Sequence, residues 1–230
     1  MMSGVTETAY AEMTAYIANR SDAAEHLPPE VAQAVRNARE DAAENGVPAP
    51  SPAVGDLLTV LAAASGAKGA QGAVAVTPAA GVVGLHLLAG LPEKATLTCI
   101  EPEAALQAGA KDFFRSAGYA SSRVRFLTAR PLDVLGRLAN GAYQLVYADV
   151  APTELTTFIE QAWPLLAPGG TLVIAGSLLD GTVADHTRRD RATEAAREAE
   201  AFVDKQSLEQ GAAVARLPLD GGLTLLTKTV

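Results

Sequence analysis

The chain has 230 residues, 49% hydrophobic and 19% charged, with a formal net charge of −8. That composition describes one globular domain, or slightly more, with a full core, and excludes a disordered chain. The acidic balance argues against a nucleic-acid backbone as partner, and the single Cys99 excludes a disulfide framework, which fits a reducing cytoplasm. No basic-then-apolar secretory signal opens the sequence, and a cytoplasmic location is expected.

Residues 5–20 carry Tyr10, Met13 and Ile17 at helical spacing, with Glu7, Glu12 and Asn19 on the outer face, and predict a helix. Pro28-Pro29-Glu30 opens a second helix, with proline in the first turn and an acid near the positive end. It runs through Val31, Ala34, Val35 and Ala38 to a stop at Asn45-Gly46. A Pro-rich connector, 47–50, leads to Ser51-Pro52, which read as N-cap and first residue of a third helix. Val54, Leu57, Leu58 and Leu61 share one of its faces, it ends near Gly66, and a small-residue loop follows over 67–72.

Residues 73–101 form the organising stretch. A short apolar strand, 73–77, meets the loop Pro78-Ala79-Ala80-Gly81; an apolar helix, 82–91, follows, then a β-branched strand, 95–100, ending on Glu101. This is the pattern of a first βαβ unit, where a helix N-terminus and a strand-end carboxylate hold a nucleotide-like ligand. Gly81 and Glu101 are twenty residues apart, close to the expected offset, but a G-x-G-x-x-G code would need glycine where Thr77 or Ala79 stands. A crossover that merely packs fits the same residues. Residues 70–92 carry no charged side chain, yet Pro78, four glycines and His86 speak against a membrane span.

The remaining chain continues the alternation. A helix from Glu101-Pro102-Glu103 runs to Gly118; a strand covers 124–127; a short helix, 131–138; a strand, 144–149, ending on Asp149. An amphipathic helix, 153–166, carries Trp163 as a core anchor, and Pro168-Gly169-Gly170 turns into a strand at 171–175. A loop, 176–185, precedes a charged helix over 186–205. Strands at 212–216 and 223–228, joined by LPLDGG, read as an antiparallel hairpin. The fold class expected is α/β: a Rossmann-like sheet of five parallel strands plus a C-terminal antiparallel hairpin, with helices on both faces.

Several motifs carry a family resemblance. SPAVG at 51–55, VTPAAGVVG at 76–84, LTCIEPE at 97–103, LTARPLDVL at 127–135, YQLVYAD at 143–149, LLAPGGTLVI at 165–174 and LPLDGGLTLLTK at 217–228 stand in family order. Together the chain resembles the class I S-adenosylmethionine-dependent O-methyltransferases of the catechol and caffeoyl-CoA type. The resemblance implies an N-terminal helical segment, 1–50, that caps the acceptor site and joins a homodimer, and a methyltransferase domain over 51–230. It implies S-adenosylmethionine at the carboxyl edge of the first two strands. Thr77, Pro78 and Gly81 would lie against its methionine part, with Ser51 near the same end. Val83 would stand where the family has a serine that touches the carboxylate. Glu101 would take the ribose hydroxyls, and Arg130 and Pro131 would flank the adenine. Asp149 would lie near the methyl group, with His186 as the candidate base toward a small-molecule acceptor.

The chain departs from the family pattern at Ala75, where an acid would help hold the methionine ammonium, and at Thr77, the first loop glycine. Pro131 lacks the N–H an alanine would supply at the adenine. Metal-dependent relatives use an acid ending the fourth strand and an Asp-Asn pair ending the fifth. Here Ala175-Gly176 stand in place of the pair, so a divalent metal is not expected unless Asp180 or Asp185 reaches in. Three readings follow: an O-methyltransferase acting without the usual metal; a methyltransferase-fold binding or scaffold protein that has lost catalysis; and a nicotinamide-dependent dehydrogenase, which the hairpin and glycine spacing disfavour.

Overall fold

The computed structural model describes residues 3–64 and 72–229, and the loop expected over 67–71 lies outside them. Three helices lead, α1 (Ser3–Ala23), α2 (Pro29–Glu44) and α3 (Pro52–Ala64). Then come β1 (Gly72–Val76), α4 (Ala80–Gly90), β2 (Thr96–Ile100), α5 (Ala104–Ser116), β3 (Val124–Leu127), α6 (Pro131–Val134) and β4 (Tyr143–Ala148). The chain closes with α7 (Leu155–Ala162), β5 (Leu166–Ala175), α8 (Arg191–Gln210), β6 (Ala212–Leu217) and β7 (Leu223–Lys228). Among the described residues seven strands form one sheet in the order β3-β2-β1-β4-β5-β7-β6. The first five pair in parallel, while β7 runs antiparallel to both β5 and β6. This is the expected α/β architecture, with the strand order reversing between β1 and β4. In sheets of this kind a ligand crevice lies at the carboxyl ends of the strands where the order reverses.

β1 is buried at all five positions, as a central parallel strand covered on both faces should be. α4 buries eight residues, Ala80 and Val82 through Leu88, because α2, α3 and α5 pack around it. Each aliphatic side chain so buried contributes about 1.5–3 kcal/mol of transfer free energy. Close approach requires small residues: a β-carbon on Gly90 would collide with the Thr59 carbonyl, and one on Gly55 with the His86 ring. Two cores result. One joins α2, α3, α4 and α5 to the sheet; the other places α7 and α8 against the opposite face around Phe158, Ile159 and Trp163.

Four expectations need correction. Tyr10, Met13 and Ile17 do not face the core: they are 50%, 54% and 45% exposed, because α1 packs along α3 and none of the described residues covers this stripe. Pro168-Gly169-Gly170 lies inside β5 rather than before it; the left-handed Gly169 and a register shift against β4 absorb the irregularity. The charged helix begins at Arg191, not at 186, because Asp190 caps it by accepting the Thr193 N–H at 3.0 Å. α4 begins at Ala80, so Ala80 and Gly81 belong to its first turn.

Among the described residues no helix is long and apolar enough to cross a membrane. Cys99 is fully buried, and burial raises its thiol pKa, so it stays protonated and inert. His86 is 2% exposed between α3 and α4. The Thr59 hydroxyl lies 3.2 Å from its Nδ1, and Nε2 has no hydrogen-bond partner among the described residues. Burial first, then repulsion from Arg39 and His26, pushes its pKa down to about 3. In the unfolded chain the ring takes up a proton near its ordinary pKa, so below that pH the unfolded state binds the extra proton. Stability from this residue is therefore complete at neutral pH and falls as pH drops, by up to about 1.4 kcal/mol per unit. Urea unfolding stepped from about pH 7 to 5 checks this: His86→Gln should flatten the slope, whereas parallel curves would remove His86 as its cause.

Candidate functional site

The carboxyl edge of β1, β2 and β4 gathers Thr77, Glu101 and Asp149, each one residue beyond its strand. Thr77 is 1% exposed; its hydroxyl accepts the Ala79 N–H at 3.1 Å and lies 3.4 Å from Asp149 Oδ2. The threonine at the glycine position thus shapes the loop from within, a use of the hydroxyl that glycine cannot supply. The Asp149 N–H donates to the Val76 carbonyl at 2.8 Å, tying the ends of β1 and β4. Burial pushes the Asp149 carboxyl pKa up, with the Thr77 hydrogen bond opposing it.

Glu101 is 6% exposed and held from several sides. Its N–H donates to Leu127 at 3.2 Å, and its carbonyl accepts from Gln107 Nε2 at 2.6 Å. Gln107 in turn accepts from the Thr128 hydroxyl at 2.9 Å. Glu101 Oε1 accepts the Glu103 N–H at 2.8 Å, while Oε2 has no hydrogen-bond partner among the described residues. Burial raises the pKa of this carboxyl, with the Glu103 N–H lowering it and the charges of Glu103 and Asp149 adding to the rise. Oε2 is not among the buried atoms that lack a partner, so it opens to solvent, and a carboxylate fixed in this way fits a ligand that brings hydroxyl donors.

The other residues singled out by sequence divide. Pro78 lies half-buried at the loop, and α4 starts beside it with no side-chain cap, leaving its first amides without a side-chain partner. Gly81 serves packing: a β-carbon there would press on Phe113 of α5 and Ala38 of α2. Val83 is wholly inside the core, so its side chain offers a ligand no surface. Ser51 stands before α3, its hydroxyl accepting the Val54 N–H at 3.4 Å and its own N–H donating to Asp220 at 2.6 Å. Arg130 is exposed and pairs with Glu154 at 3.1 Å, beside Pro131 at the first turn of α6. Such an exposed pair is worth only about 0.2–1 kcal/mol, so a ligand can turn the guanidinium easily. His186 is exposed in the loop before Asp190 and does not line the pocket that Asp149 lines.

Two residues that the sequence reading passed over stand beside Asp149. A pocket of about 140 Å³ is lined by Pro48, Pro50, Tyr147, Asp149, Gly176 and Asp220, among others. Tyr147 sits two residues before Asp149 on β4 and so shares its face, a relation that strand alternation in QLVYAD carries. Asp220 comes from the β6–β7 turn, where sequence signals only a turn. The end of β5 supplies Ala175 and Gly176, which offer no side-chain oxygen. Among the described residues no three His, Cys, Asp or Glu side chains cluster to hold a metal ion, so the residues do not fit an octahedral oxygen site.

The sequence pattern of the family described as O-methyltransferase matches residues 29–229. A Mycolicibacterium vanbaalenii protein provisionally named an O-methyltransferase is 42% identical over 165 residues, 72% of each chain. A solved protein from Corynebacterium glutamicum superposes with TM-score 0.83 and 56% identity, covering 86% of this chain and 90% of that one. An O-methyltransferase of Streptomyces achromogenes involved in tomaymycin synthesis, solved in complex with S-adenosylmethionine, shares the fold at TM-score 0.76 and 22% identity, over 90% of this chain and 94% of that one. By its sequence over nearly its whole length, and by a sheet laid out as in these relatives, the chain belongs to the O-methyltransferase family of enzymes.

Proposed function

We propose that this chain is an S-adenosylmethionine-dependent O-methyltransferase that acts on a small-molecule acceptor without a divalent metal. The observation that carries the cofactor is Glu101: a buried carboxylate at the end of β2, fixed by Glu103 and Gln107, with one oxygen unused. The family relative solved with S-adenosylmethionine supports the same ligand. In this reading Glu101 accepts hydrogen bonds from the ribose hydroxyls, and the first amides of α4 beyond Pro78 receive the methionine carboxylate. Thr77 and Ser51 line the methionine end, and Arg130 and Pro131 flank the adenine. When bound, S-adenosylmethionine supplies a methyl group on a positively charged sulfur. Asp149, buried and linked to Thr77, receives the proton of the acceptor hydroxyl as that oxygen is methylated. Burial makes this carboxylate a stronger base than one in water, which partly replaces what a metal does in metal-dependent relatives. His186 lies outside the pocket that Asp149 lines and is left out of the mechanism.

The N-terminal segment, 1–50, is read as a cap and dimer element, and 51–230 as the catalytic domain. Tyr10, Met13, Tyr16 and Ile17 on α1, with Val60 on α3, leave an apolar stripe exposed. A second copy of the chain covering this stripe accounts for it.

Three outcomes are expected. Calorimetric titration should show S-adenosylmethionine and S-adenosylhomocysteine binding, and Glu101→Ala should weaken both by about 1.5–3 kcal/mol, the scale of charge-assisted hydrogen bonds. No binding at millimolar ligand would remove the cofactor reading. Binding without turnover over a panel of phenols would instead favour a scaffold role. Asp149→Asn should abolish the acidic limb of the pH–rate profile, a limb that in the unmodified enzyme lies above the ordinary carboxylate range. In sedimentation experiments the unmodified chain should be a dimer and Tyr16→Asp/Met13→Asp a monomer; a monomeric unmodified chain would assign the stripe no such role.

A further inference from the structure

A second cavity lies away from the edge that carries Thr77, Glu101 and Asp149. It measures about 500 Å³, within the range of small-molecule sites, and lies between α5 and the edge strand β3. Its lining includes Lys111, Phe114, Arg115, Tyr119, Ser121 and Phe126, and none of the residues at the carboxyl edge. It reaches Val124, the first residue of β3, which pairs with Leu97 near the start of β2. It therefore extends toward the amino ends of these strands, while Glu101 follows the carboxyl end of β2.

The walls are aromatic and the rim is cationic. The chain has five phenylalanines and five tyrosines, and two of the former and one of the latter meet here. Phe114 is 3% exposed, and its ring stacks on Phe126 with centroids 6.0 Å apart and planes at 28°. Such a pair offers a fixed flat surface to a planar ligand. Arg123 lies over the Tyr119 ring at 5.8 Å and donates to the Ala95 carbonyl at 2.8 Å, which steadies the third wall. Burial raises the pKa of the Tyr119 phenol, with Arg123 opposing, so it is an O–H donor at neutral pH. Lys111 and Arg115, both exposed, are four residues apart on α5 and share a face, where like charges repel. Arg115 complements the dipole from the last turn of α5, a reason that does not extend to Lys111. Arg115 pairs with Asp112 at 2.5 Å, an exposed contact that a ligand can replace. Lys111 has no acid partner among the described residues; its ammonium lies 4.9 Å above the Phe126 ring. Among the described residues no carboxylate lines the cavity, on a chain whose net charge is −8.

We propose that this cavity binds a two-ring aromatic carboxylate, at a site separate from the one that serves methyl transfer. The rings lie against Phe114 and Phe126. Lys111 leaves the Phe126 ring, and Arg115 leaves Asp112, to pair with the carboxylate, while Tyr119 and Ser121 offer hydroxyl donors. Charge complementarity decides the class: a cationic ligand would meet two like charges, and an uncharged one would leave both unanswered. The volume decides the size, since about 150 Å³ holds one benzene and this cavity has room for a second ring. None of its residues takes part in the methyl-transfer reading, so the site does not rest on that reading.

The test uses two probes of matched shape and different charge, 2-naphthoate and 2-naphthamide, titrated calorimetrically into the full chain with and without saturating S-adenosylhomocysteine. Naphthoate should bind about tenfold more tightly than the amide, from two partly exposed charge pairs. Lys111→Gln should bring the ratio to about threefold, and Lys111→Gln/Arg115→Gln to about one. Both substitutions lie on the exposed face of α5, so the fold is kept. Phe126→Leu should weaken both probes by a similar factor, about three- to tenfold, and leave their ratio unchanged. Naphthoate should still bind when S-adenosylhomocysteine is saturating. In sedimentation experiments the double variant should match the unmodified chain in mass, because the occupant is a small ligand and not a second copy. Equal affinity for the two probes, a ratio unaltered in the double variant, displacement of naphthoate by S-adenosylhomocysteine, a changed mass, or no naphthoate binding at millimolar concentration would overturn the proposal.

Discussion

The constraint on which the structure depends is that β1 and α4 must both be buried nearly all round. β1 has neighbours on each side in the sheet and helical layers above and below. α4 is wrapped by α2, α3 and α5. An element covered on every face can carry no charge without a partner, which is why 70–92 has none. The same constraint brings polar chemistry to one place. The strands run parallel, so their carboxyl ends meet at one edge. The first positions where a side chain can leave the core are the residues just beyond the strands: Thr77, Glu101 and Asp149.

The fold was legible where periodicity and punctuation agreed. β3 and β7 keep their expected bounds, α2 stops at Asn45-Gly46, and the LPLDGG segment turns a hairpin. It was less legible where one signal had two meanings. Pro168-Gly169-Gly170 reads as a turn, yet a strand pairing with β4 can absorb those residues as an irregularity. The start of α8 was hidden because two acids precede it. Asp185 makes its own local turn with Thr187, and only Asp190 caps the helix. For α1 the stripe was visible, but periodicity reveals that a face is apolar and not what covers it.

The site was legible only in part, for a related reason. Residues fixed to strand ends could be placed from chain order alone. Gly81 and Val83 could not be assigned as cradle or core without knowing how closely α2 and α5 approach α4. Tyr147 shares a face with Asp149 by simple alternation, but a tyrosine in an apolar strand reads first as core. Asp220 comes from a turn near the end of the chain, and its neighbour in space is Ser51. No local pattern links them.

That last contact has a consequence for how the enzyme comes into being. The hydrogen bond between Ser51 and Asp220 joins positions separated by 169 residues, and Asp220 lines the pocket beside Asp149. A chain emerging from the ribosome can complete β1, α4, β2 and Glu101 long before the turn bearing Asp220 exists. The strand edge bearing Glu101 is thus assembled early, and the pocket beside Asp149 is completed only by the final hairpin. The two stretches lie far apart in sequence, so substitutions in the hairpin turn can alter the pocket beside Asp149 while the surroundings of Glu101 stay as they are.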